Sequence, residues 1–138
     1  MRRTLAIATA CFIISLGLTV RAGEKAPPDH VQAMKDLLNV VQTMVKPGMY
    51  ADFEVAKKSA ASAKDAYVIV QKFWDGRGDP EAIKLSQAGT KAAGEIAAAA
   101  NASSAADVEK ATTALRATCA PCHRAHREEL PGGGFEIK

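Results

Sequence analysis

Large side chains are scarce in this chain. Aromatic residues occupy 5% of its 138 positions, as one Trp, two Tyr and four Phe, while alanine dominates the apolar share. Such a composition forms helices readily but leaves a core short of bulk, so a large body from elsewhere is expected in the middle. Strand-length alternation rich in β-branched residues is missing too, which leaves a helical reading of the whole chain.

Net charge is a further absence. The chain has 18 Lys and Arg against 15 Asp and Glu, but Arg2, Arg3 and Arg21 all fall within the first 22 residues, and the remainder carries 15 of each. A neutral remainder removes the charge argument for nucleic-acid binding, so no nucleic-acid partner is expected. Catalytic groups are lacking as well. Glu128 and Glu129 are adjacent on a predicted helix and point to different sides, a poor acid/base pair, and the chain is not expected to be an enzyme.

What is present begins with Met1-Arg2-Arg3, an apolar run from Leu5 to Val20, and the exit Val20-Arg21-Ala22. This is the pattern of a secretory signal peptide cut after Ala22. The run approaches the lower limit for spanning a bilayer, yet its basic start and small-residue exit favour cleavage. Residues 1–22 are therefore expected to be removed, leaving residues 23–138 as one domain with no membrane anchor. Cys11 leaves with the leader as a small apolar filler, and the mature chain keeps an even pair, Cys119 and Cys122.

Four helical segments are predicted. The first runs from Pro28 or Asp29 to Lys46, with Val31, Met34, Leu38, Val41 and Val45 at the spacing of a buried face, and Pro47-Gly48 ends it. Asp52 caps a second, whose stripe includes Val55, Ala56, Ala60, Ala63, Tyr67, Val70, Phe73 and Trp74, up to a break at Asp75–Gly78. Asp79-Pro80-Glu81 opens a third that reaches Ala100. Ser104 and Asp107, spaced as a capping box, open a fourth that carries Val108, Ala111, Leu115, Cys119 and Cys122 towards Leu130, where Pro131–Gly134 stop it. Short connections imply antiparallel neighbours in an up-down-up-down four-helix bundle. Phe73 and Trp74 are expected in the core.

Cys119-Ala120-Pro121-Cys122-His123 has the spacing of covalent c-type haem attachment, in which two thiols add to vinyl groups and the next histidine coordinates iron. Three other readings share part of the pattern. A thioredoxin-like disulfide belongs at a helix start after a strand, and no strand is predicted. Zinc would have to draw Cys119, Cys122, His123 and His126 from eight residues of one helix, which do not easily surround a tetrahedral ion. A structural disulfide would close a very small loop and contribute little. None of the three accounts for His123. Pro121 should kink the fourth helix or make it begin afresh, and His126 is expected half-exposed near the haem edge.

A four-helix chain with an export leader and C-x-x-C-H near its C-terminus resembles the class II cytochromes c, the cytochrome c′ family, over residues 28–130. Within that family it is most similar to the low-spin members whose iron is held by His and Met. The resemblance rests also on "VQAMKDLL", residues 31–38, which is similar to the first-helix segment covering the second haem face, and on Arg127, four residues after His123. It implies one haem c, attached through Cys119 and Cys122 and ligated by His123 and Met34. Met44 and Met49 lie too far along the chain to compete. It implies too a one-electron carrier between redox partner proteins in the bacterial periplasm, pairing as a homodimer through its first two helices. The family's alternative is a five-coordinate iron open to small gases, with Leu38 as the shielding residue in place of a Met34 ligand. Lys35, beside Met34, stands near the position from which a basic residue meets the haem carboxylates. The tail Leu130–Lys138 has no assigned role.

Overall fold

Local signals decide where the helices start. Asp52 accepts a hydrogen bond from the Val55 amide, Asp79 from Glu81 and Ala82, and Ser104 from Asp107. Each contact satisfies an amide that has no partner inside its helix. Pro28 and Pro80 take first-turn positions, where a missing amide hydrogen is tolerated. The computed structural model describes residues 23–138 and contains α1 (Pro28–Met44), α2 (Phe53–Arg77), α3 (Pro80–Asn101) and α4 (Ala105–His126), with a 3-10 turn at Met49–Ala51. The proposed signal peptide and Cys11 lie outside the described residues. Gly78 closes α2 in the left-handed region, at φ 65°, with its amide bonded to Trp74 and Asp75 carbonyls.

The capping box at Ser104 takes a modified form. Its amide is used in closing α3, bonded to the Ala99 carbonyl, so Asp107 accepts from the Ser104 hydroxyl instead, at 2.6 Å.

Alanine makes the helix seams. α2 packs against α1 and α3, and α3 against α4, with Ala56, Ala60, Ala63, Ala82 and Ala93 fully buried between them. Small side chains let helices approach closely, and the core's bulk falls to a few residues, among them Met44, Ile96, Leu115 and Trp74.

α1 is turned from its expected face. His30, Ala33, Leu37, Val40 and Met44 are buried, whereas Val31, Leu38 and Val45 are 39%, 57% and 42% exposed and Met34 and Val41 are half-buried. The two stripes differ by one residue, a rotation of about 100°. They share one period, so periodicity cannot choose between them. Ala33 lets α1 sit close to the alanine face of α2 beside Leu37, Val40 and Met44, while Val31, Leu38 and Val45 are turned elsewhere.

α4 ends at His126, short of Leu130. Arg127–Glu129 (β1) becomes extended and pairs antiparallel with Phe135–Ile137 (β2), with Arg127 opposite Ile137, and Glu24 adds a bridge to Ile137. Pro131–Gly134 thus turn a hairpin, closed by the Gly133 amide on the Leu130 carbonyl and the Leu130 amide on the Gly134 carbonyl. The fold-back buries Ile137, which is 9% exposed. Three-residue strands are too short to show alternation, which is why a strandless chain was the expectation. α4 runs continuously through Pro121 and does not begin afresh there. No helix among the described residues is long and apolar enough to cross a membrane.

Candidate functional site

Cys119, Cys122 and His123 are three and four residues apart on α4, so helical geometry puts them on one face. That face forms a wall of a groove of about 310 Å³, at the lower end of the range for small-molecule sites. α1 lines it with Met34, Leu37, Leu38 and Val41, α2 with Tyr67 and Val70, and α3 with Leu85 and Ser86. Met34, Leu38 and Val41 belong to the stripe that α1 turns away from its core face. A more open hollow of about 590 Å³ lies beside the 3-10 turn, near Asp52 and Asn101. It contains no cysteine or histidine, so chemistry assigns the site to the smaller groove.

Both thiols are half-buried and free of any disulfide, and that of Cys119 donates to the Leu115 carbonyl at 3.9 Å. Burial raises the Cys119 pKa and pushes that of Cys122 up to about 11, the latter with help from Cys119, Asp79 and Glu81. A C-x-x-C pair built for disulfide exchange has the opposite character, a lowered pKa near a helix N-terminus, whereas this pair lies in the C-terminal half of its helix. Protonated thiols are what addition to a vinyl group consumes. Among the described residues, no three His, Cys, Asp or Glu side chains converge as a metal-ion site.

His123 opens onto solvent as well as onto the groove. The partial desolvation it does undergo lowers its pKa, and the Arg127 guanidinium lowers it further. Its ring is thereby kept neutral, as a metal ligand requires. Arg127 stands at the start of β1, its guanidinium carbon 3.0 Å from the centroid of the Phe135 ring. Lys35 is exposed and is not part of the groove wall. Arg116, which sequence reasoning passed over, does line the groove; only its spacing, seven residues before His123, placed it on that face.

His126 is a correction: it is 9% exposed, not half-exposed. Its Nδ1 lies 3.5 Å from Asp79 and its ring 4.8 Å from that of Trp74, while Nε2 has no partner. Trp74 is buried and Phe73 packs against it edge-on at 4.9 Å, in line with a core role. The same cluster holds a residue that nothing in its sequence context singles out. His30 is 5% exposed, with its ring 4.3 Å from Phe73 and its Nδ1 unpartnered.

Burial lowers the His30 pKa below 6.5; Asp29 opposes the shift, while Arg77 and His123 add to it. Below 6.5 the unfolded chain takes a proton that the folded chain resists, so the stability present above that value is lost as pH falls below it. The urea midpoint is therefore expected to drop between about pH 7 and about pH 5, and His30→Gln to flatten the drop. Equal slopes in the two proteins would remove His30 from the account.

The groove fits a haem by its donor set: two thiols and an imidazole on one helix face, a thioether on another helix, and aliphatic walls between them. No protein-family model, curated protein or solved structure matches the chain.

Proposed function

We propose that this chain is a class II cytochrome c: an exported, single-haem carrier of single electrons, built as an up-down-up-down bundle. One observation carries the reading, the meeting of Cys119, Cys122 and His123 with Met34 around one apolar groove. Bound haem supplies a one-electron couple, whose potential His/Met ligation raises.

The chain's own residues do the rest. Cys119 and Cys122 would fix the group covalently, and His123, with a neutral imidazole, and Met34, with a soft sulfur, would hold its iron. Leu37, Leu38, Val41 and Val70 exclude water, while Arg116 gives the wall a permanent charge suited to a carboxylate. No catalytic role is assigned. Residues 1–22 direct the chain to a bacterial periplasm, where redox proteins are its partners. A neutral surface gives such partners little long-range steering. Exposed aliphatic residues on the first two helices and at the end of the first, Val31, Val68 and Val45, favour a homodimer. Sedimentation showing only monomer at high concentration would remove that part.

The test is the absorption spectrum of the exported protein, oxidised and reduced, with and without carbon monoxide. A low-spin spectrum indifferent to the gas is expected, and Met34→Ala should turn it high-spin and gas-sensitive. Leu38 lines the same groove, which keeps a second reading in play: a wild-type spectrum already high-spin and shifted by carbon monoxide would make this a gas-binding protein shielded by Leu38.

A further inference from the structure

Between Leu115 and His126, α4 buries a single residue, Thr118. The attachment segment thus has one core-facing anchor, and it immediately precedes Cys119. The Thr118 hydroxyl donates to the Leu115 carbonyl at 2.8 Å, which leaves its oxygen to accept from the Tyr67 hydroxyl at 2.9 Å. Tyr67 is 5% exposed and lines the groove beside both cysteines. α3 makes room for it: a Cβ on Gly89 would overlap the Tyr67 ring. Three helices therefore converge on one phenol, through a close approach on one side and a hydrogen bond on the other.

We infer that Tyr67, held between Gly89 and Thr118, is a positioning residue that sets the rotation of α4 so that Cys119 and Cys122 reach the groove together. The inference rests on the reading of the groove as a covalent haem site. In that chemistry each thiol gives its sulfur to the inner carbon of a vinyl group and its hydrogen to the outer carbon. One S–H bond and one C–C π bond are replaced by S–C and C–H bonds; nothing is oxidised and nothing leaves. Two such additions from one helix require both sulfurs in place at once, and residues Arg116, Ala117 and Ala120 are too exposed to hold the helix there.

The experiment counts free thiols per haem-bearing chain in the exported protein, by alkylation after denaturation and intact mass. Wild type should carry two thioethers and no free thiol. Tyr67→Phe, which deletes only the hydroxyl, should lower the ratio of doubly to singly linked chains about fivefold, equivalent to one net hydrogen bond of about 1 kcal/mol. Gly89→Ala, which displaces the ring, and Thr118→Val should act in the same direction, while Thr118→Ser restores the wild-type ratio. Fewer haem-bearing chains at an unchanged ratio would mean a general stability role and overturns the inference, as would wild-type ratios in Tyr67→Phe and Thr118→Val. Wild-type protein without covalent haem overturns the groove reading itself, and this inference with it.

Discussion

Exchange of both Cys119 and Cys122 for serine is expected to leave no haem on the chain after unfolding in denaturant and gel filtration, where wild type retains all of it. The difference is one of bond type. Two thioethers would survive denaturation, whereas His123, Met34 and the groove's aliphatic side chains would hold a haem only while the groove exists. The serine variant would thus bind haem reversibly, and its stability would follow the free haem concentration, rising by about 2.7 kcal/mol at a hundredfold excess over the dissociation constant. A melting temperature that climbs with added haem in the variant and stays fixed in wild type is the second readout. Haem retained by the serine variant after denaturation would mean that attachment lies elsewhere.

Trp74→Ala carries the largest expected loss of stability, about 3–5 kcal/mol. Its ring contacts Phe73, His126 and, at 6.2 Å between centroids, His30, so that it joins residues of α1, α2 and α4. In most cores a lost aromatic is one among several. Here the neighbouring seams are alanine, each burying roughly one methyl group worth about 0.8 kcal/mol, and no other tryptophan exists. Against a typical total of about 5–15 kcal/mol, the variant should unfold at a much lower urea concentration, and Trp74→Phe should recover most of the difference. A loss below about 1 kcal/mol would show that the cluster is not where the fold's bulk resides.

Helix starts were legible because their signals are local. Asp52, Asp79 and Ser104 are short polar side chains placed where free amides need them, and each acts within three residues of itself. The rotation of α1 was not legible, since both of its stripes repeat with the same period and the choice lies with Ala33 and the alanines of α2. The hairpin after His126 was hidden because its three-residue strands are too short to alternate, and one contact that supports it, the bridge to Glu24, comes from the far end of the described chain. Within the site, C-x-x-C-H announced itself through fixed spacing on one helix. Tyr67, Thr118 and Gly89 did not, because they meet only in three dimensions and none of the three is unusual in its own helix. His126 misled in the opposite way, as its neighbours in sequence are exposed while its neighbours in space are Trp74 and Asp79.

The bridge between Glu24 and Ile137 sets an order on events during synthesis. The Glu24 amide bonds to the Ile137 carbonyl at 2.9 Å and the Ile137 amide returns to Glu24 at 2.8 Å, while Arg77 pairs with the Glu24 carboxylate. Ribosomes make a chain from its N-terminus, and early helices begin to form before late ones exist. Glu24 is among the first of the described residues to be made, yet it waits for almost the whole chain before its strand partner appears. Contacts of such wide sequence separation form slowly. The end of the molecule that presents Cys119, Cys122 and His123 is therefore the last to close, and these three residues stay accessible until the chain is complete.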